Sequence, residues 1–140
     1  MRVVFDTNVL VAAARSRDGA SFALVNLVPS GKFELCLSVG LYTEWQSGLT
    51  RGENLPPGRT PENVVNYLRY LASNAVLQEI HFLWRPFLED PDDNMLLELA
   101  FAADCRYIVT HNVQDFRGSE QLGVAVVSPR DFLAVLRSNS

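Results

Sequence analysis

Lysine is almost missing from this sequence. Of its twelve basic residues only Lys32 is a lysine, and the rest are arginine. Histidine and cysteine are scarce too, with two of each. Cys36 and Cys105 stand alone in apolar runs (FELCLS and AADCRYIV), a pattern that gives neither a zinc spacing nor a disulfide framework. They read as buried, reduced thiols of a cytoplasmic protein. No window holds the eighteen or so apolar residues that a membrane span needs. The opening MRVVFDTN is too short an apolar run for a signal peptide. The expectation is a soluble, cytoplasmic chain without a membrane partner. Gly-rich phosphate loops of the GxGxxG or GxxxxGK[ST] type are absent. So are a nucleophile elbow and a legible Ser/His/Asp triad. The shortage of lysine also tells against a receiver-type phosphotransfer domain, which wants one after a late strand. A phosphatase with an Asp nucleophile wants a second Asp two residues on, where Asn8 stands.

What is present suits one globular domain spanning residues 1–140. At 140 residues the chain is long enough to bury roughly 68–70% of its unfolded surface without a staple. Its 48% hydrophobic and 20% charged residues are ordinary for such a domain. The net charge of −4 lacks the basic footprint of a typical nucleic-acid binder. It agrees with a site built from carboxylates.

Short apolar runs alternate with helical patterns from end to end. Arg2–Phe5, Phe33–Leu37, Ala75–Ile80, Tyr107–Thr110 and Val124–Val127 read as strands. Helical periodicity covers about Asn8–Arg15, a segment capped by Ser21, and Val39–Leu49. It returns after Thr60-Pro61, after Asp92, and after Ser128-Pro129. Residues 51–61 have loop composition. The alternation predicts an α/β fold with a parallel sheet of about five strands and helices on both faces. In such sheets ligands bind beyond the carboxyl ends of the strands.

Four acids fall near that edge. Asp6 follows the first strand, Glu44 lies in the helix after the second, Asp93 opens the helix after the third, and Asp115 comes after the fourth. Glu44 shares a helix face with Gly40, Ser47 and Gly48, not with the Leu41–Trp45–Leu49 stripe. Taken singly, each has a structural use as a cap, a turn residue or solvated surface. Together they would repel: two carboxylates about 5 Å apart cost roughly 3 kcal/mol at an effective dielectric near 20. Protons or cations must relieve that. Oxygen-only ligands select hard cations such as Mg²⁺, Mn²⁺ or Ca²⁺. Bound Mg²⁺ or Mn²⁺ activates water and neutralises a leaving oxygen in phosphodiester hydrolysis.

VVFDTNVLVAA and DPDDNMLLELAFAADCRYIVTHNVQDF resemble the two motifs of the PIN-domain family. The likeness is greatest to the toxins of type II toxin–antitoxin modules. It covers essentially the whole chain and implies a metal-dependent endoribonuclease acting on single-stranded RNA. By this resemblance Asp6, Glu44 and Asp93 match the first three metal-site acids. The fourth place is open: many members have Asp where this chain has Asn112, and Asp115 lies three residues further on. Thr7, Asn8, Thr110 and Asn112 would support the carboxylates or a water. The resemblance further implies Mg²⁺ or Mn²⁺ as cofactor, a homodimer, and a cognate antitoxin whose tail enters the acidic groove.

Arg15 and Arg17 are candidate RNA contacts at the cleft rim, with scattered surface charge as the plain reading. His111 could touch a substrate phosphate or be merely structural. His81 to Phe87 reads as core or subunit contact, with base stacking on Trp84 as a lesser use. A non-catalytic PIN-like module that binds RNA or protein is the competing function, and Asn112 is its best support.

Overall fold

The computed structural model describes residues 1–80, 88 and 90–139. The strands are β1 (Arg2–Phe5), β2 (Glu34–Leu37), β3 (Val76–Leu77), β4 (Tyr107–Val109) and β5 (Ala125–Val127). They form one parallel sheet in the order β3-β2-β1-β4-β5. Among the described residues six α-helices connect and follow them: α1 (Thr7–Arg15), α2 (Ala20–Asn26), α3 (Val39–Leu49), α4 (Pro61–Ser73), α5 (Pro91–Ala102) and α6 (Pro129–Ser138). The expected α/β architecture of a single domain is present.

Val3, Val4 and Phe5 are all 0% exposed. Neighbouring strand residues point to opposite faces, so both faces of the central strand are covered. This is why the strands read as continuous apolar runs and not as alternating ones. On one side Phe132 of α6 packs edge-on against Phe33, which also meets Phe5. α5 lies against β1, β2 and β4. Cys36 and Cys105 are free and buried.

Caps fix most helix entries. Ser38, Thr60 and Ser128 accept the expected backbone N–H groups, and Thr60 and Asn63 form a reciprocal box with Pro61 in the first turn. Three expectations need correction. Ser21 does not cap α2; Gly19 holds that position and Ser21 sits one residue inside the helix. α5 starts at Pro91 and not at Asp92; Asp90 caps it, its side chain accepting from the Asp92 N–H. The third strand is shorter than Ala75–Ile80: only Val76 and Leu77 pair, at the sheet edge beside Cys36 and Leu37. The stretch from His81 to Phe87 lies outside the described residues. No helix among the described residues is long and apolar enough to cross a membrane.

Candidate active site

From the central β1 the chain builds outward to β2 and β3, then crosses to β4 and β5 on the other side. The carboxyl ends of β1 and β4 thus flank the point where the strand order reverses, the usual crevice of an open parallel sheet. Asp6 follows β1 there, and Thr110, His111 and Asn112 follow β4.

A hydrogen-bond cluster ties the two strand ends together. The fully buried Thr110 donates from Oγ1 to Asp6 Oδ2 at 2.8 Å. Asn8 Nδ2 donates to Thr110 Oγ1 at 3.2 Å and, at 3.4 Å, to the same Asp6 oxygen. Asn8 Oδ1 accepts the His111 N–H, and Thr110 Oγ1 accepts the Asn112 N–H. Asp6 therefore has one oxygen fixed by neutral donors. Its pKa is nonetheless raised, because burial outweighs the Thr110 bond and the N–H groups of Thr7 and Asn8; Asp92 adds to the rise.

Asp93 stands in the first turn of α5. Its pKa is pushed up to about 6, first by burial and then by the charges of Asp90, Asp6, Asp115 and Asp92. A helix N-terminus normally favours a carboxylate, and here burial, with the surrounding acids behind it, outweighs that preference. Asn94 fixes the approach to this turn. Its side chain accepts the Leu88 N–H at 2.7 Å and donates to the Leu88 carbonyl.

Glu44 is half-buried on α3, which crosses the same edge. Trp45 anchors that helix by donating from Nε1 to the Phe5 carbonyl, one residue before Asp6, at 3.2 Å. The glycines one turn to either side of Glu44 mark close approaches. A Cβ on Gly48 would lie 2.8 Å from Thr7 Cγ2, and one on Gly40 would lie 3.0 Å from Met95 Sδ. Glu44 is thus bracketed by contacts to the residue after Asp6 and to the residue two beyond Asp93. The two glycines should respond differently to Ala. Met95 is flexible and can yield, whereas β-branched Thr7 at the start of α1 is stiff. Gly48→Ala is expected to lower the melting temperature clearly more than Gly40→Ala; equal losses in thermal unfolding would show that Thr7 gives way freely.

The sequence matches the PIN-domain family model over residues 2–114. The chain belongs to the PIN-domain family. Solved structures share its fold, three of them as follows. VapBC2 from Rickettsia felis, bound to a DNA fragment from its promoter, superposes with TM-score 0.61 at 14% identity, covering 91% of this chain and 98% of that one. VapBC-1 from nontypeable Haemophilus influenzae gives 0.62 at 16%, covering 93% and 99%. FitAB bound to an IR36 DNA fragment gives 0.58 at 16%, covering 91% and 94%. No curated protein matches the sequence.

In this PIN domain the fold brings Asp6, Thr110, Asn8 and Asn112 into one bonded cluster. It sets Asp93 and Asp115 in a common field with Asp6. Asp115 is exposed in a short 3₁₀ turn (Val113–Phe116), where its N–H bonds to the Asn112 carbonyl. Asn112 offers its backbone to Thr110. Arg15 and Arg17 are not gathered with the acids. They lie at and beyond the far end of α1, about 12 Å along its axis from Thr7. Arg15 donates to Asn54 Oδ1. Arg17 lies on an apolar groove of about 320 Å³ between α1, α2 and α4, with Arg59 also lining it. Sequence reasoning missed Asn94 and the capping Asp90; Pro91 was the available signal for the latter.

The donor set of this PIN site is all oxygen, which suits a hard divalent cation. Among the described residues, Asp6, Asp93 and Asp115 form no ion pair with a basic side chain. The acids share a field without closing into a ligand shell: among the described residues no three His, Cys, Asp or Glu side chains are disposed to hold an ion. The fit is therefore one of charge and donor chemistry.

Proposed function

We propose that this PIN domain is a Mg²⁺- or Mn²⁺-dependent endoribonuclease that cuts single-stranded RNA, and that it is the toxin of a toxin–antitoxin pair. The observation that carries this reading is the pair of carboxyls, Asp6 and Asp93, both with raised pKa values at the strand-order switch. Perturbed acids in a crevice are a mark of functional sites. Asp6 and Asp93 are the principal cation ligands in this reading, with Glu44 and Asp115 completing the site. The bound cation would supply charge neutralisation and an activated water for phosphodiester hydrolysis. The chain's own contribution is orientation. Thr110 and Asn8 fix one oxygen of Asp6, and Trp45 and the Gly40–Gly48 face fix the helix that carries Glu44 against Phe5, Thr7 and Met95.

The partners in this reading are a cognate antitoxin and a second copy of the chain. The two-component VapBC and FitAB structures support the first. The apolar groove, with Arg17 and Arg59 in its lining, suits an amphipathic antitoxin segment bearing acidic residues. Tyr67 and Tyr70, exposed on α4 with ring centroids 6.4 Å apart, add an aromatic face for either partner.

The competing reading, a PIN-like module that binds RNA or protein without cutting, draws on Asn112 and on the open spacing of the acids. Purified protein incubated with a panel of single-stranded RNAs in Mg²⁺, Mn²⁺ or EDTA decides between them. The nuclease reading expects metal-dependent cleavage that a folded Asp6→Asn variant loses. Undiminished cleavage by that variant would remove Asp6 from the site. A folded wild type that binds the panel and cuts none of it would favour the binding module.

A further inference from the structure

Ser21 and His111 are ninety positions apart in sequence, yet Ser21 Oγ lies 3.0 Å from His111 Nε2. Ser21 is only 4% exposed. Its hydroxyl has no other partner among the described residues. A buried hydroxyl proton without an acceptor costs about 1–3 kcal/mol, so Ser21 is the donor and Nε2 the acceptor. That choice fixes the tautomer: the ring proton sits on Nδ1. The His111 main chain is also held, its N–H bonded to Asn8 Oδ1 at 3.2 Å. The residue itself is exposed. It directly follows Thr110, whose hydroxyl bonds Asp6. The His111 backbone therefore stands at the rim of the carboxylate crevice, and its ring is held at Nε2 by a buried serine.

Such a rim has a specific use. The crevice concentrates Asp6, Asp90, Asp92, Asp93 and Asp115, and a polyanionic strand is repelled by that field. Arg15 and Arg17 are not beside the acids to compensate. A neutral donor can bind a phosphate oxygen without entering into ion pairs with the carboxylates.

We propose that His111 donates from Nδ1 to a backbone phosphate of the RNA strand, and that Ser21 is the positioning residue that presents it. This rests on the nuclease reading above, and the test separates the two. The probe is the panel RNA that wild-type protein cleaves best, or binds best if none is cut, with KM, kcat and binding affinity measured for each variant.

His111→Ala is expected to weaken RNA binding and raise KM about tenfold, with kcat nearly unchanged. His111→Asn places an amide nitrogen where Nδ1 stood and should recover most of that loss; His111→Gln, which mimics Nε2 instead, should not. Ser21→Ala should raise KM by an intermediate factor with kcat and melting temperature little altered. A His111→Ala protein with wild-type KM and affinity overturns the proposal and leaves the nuclease reading standing. Equal loss in the Asn and Gln variants also overturns it, because Nδ1 would then have no special part. If wild type binds RNA without cutting and His111→Ala loses that binding, the phosphate contact stands and the nuclease reading falls. A wild type that neither binds nor cuts any RNA overturns both.

Discussion

Asp93→Asn should make the metal-free protein more stable at pH 7 while removing RNA cleavage. The Asp93 carboxyl has a pKa of about 6 against an ordinary 3.8, with burial as the first cause and Asp90, Asp6, Asp115 and Asp92 behind it. At pH 7 it is ionised in surroundings that resist its charge. The folded protein binds this proton more tightly than the unfolded chain does. The associated stability is therefore complete below about pH 3.8 and is lost as pH rises through about 6. Asp6 is shifted in the same direction and contributes with the same sign. An uncharged Asn is freed from that loss, so a melting temperature a few degrees above wild type is expected in EDTA at pH 7. The part of the pH slope between about 4 and 6 that belongs to Asp93 should vanish with it. Mg²⁺ should raise the wild-type melting temperature at pH 7, less at pH 5, and hardly at all in the variant. Cleavage should fall about 10²-fold or more, since even outer partners of metal ligands are worth about 10–100-fold. A variant less stable than wild type at pH 7 would mean that Asp93 serves the helix N-terminus first. One that still cleaves at the wild-type rate would not have lost a ligand.

The same trade of stability for function explains how much of the site was legible in the sequence. Carboxylates that oppose one another have no purely structural reason to collect at one sheet edge. Their positions after successive apolar runs were therefore visible as a pattern, for Asp6, Asp93 and Asp115. The placement of Glu44 was half legible. The Leu41–Trp45–Leu49 stripe named the buried face of α3, and Gly40 and Gly48 named the face that Glu44 shares, but the contacts of those glycines with Met95 and Thr7 arise only on folding. Ser21 shows the limit of local rules. A serine in a first helical turn resembles a cap whichever of the neighbouring positions it holds, and its partner His111 is ninety residues away. Asp90, Asp92 and Asp93 posed a similar ambiguity, which Pro91 resolves because proline prefers the first helical position. The length of β3 depends on what β2 offers beside it, so Ala75–Ile80 looked like a longer strand than the two residues that pair. Arg15 ends α1 and Arg17 lies beyond it, at the end of the helix away from Thr7. Sequence adjacency to α1 does not say which end of the helix meets the acids.

Trp45→Ala should carry the largest stability cost of any single change near the site. Trp45 is 0% exposed and among the largest fully buried side chains. Truncating a buried Trp to Ala typically costs about 3–5 kcal/mol in lost burial and residual cavity. The lost Nε1 bond to the Phe5 carbonyl adds about 1 kcal/mol. Against a total stability of about 5–15 kcal/mol for a domain, this leaves a protein close to unfolding at physiological temperature. Urea unfolding should show a midpoint greatly lowered at an unchanged slope. The informative companion is Trp45→Phe, which keeps most of the apolar volume and removes the donor. Its stability loss should be well under that of the Ala variant. Its effect on cleavage should be disproportionate, because the Phe5 carbonyl precedes Asp6 and the Trp45 bond is what ties the Glu44 helix to that strand end. Wild-type cleavage by a moderately destabilised Trp45→Phe protein would show that packing alone sets the distance between Glu44 and Asp6. A large drop in cleavage at small stability cost would show that the bond from Trp45 to β1 holds the acidic crevice in register.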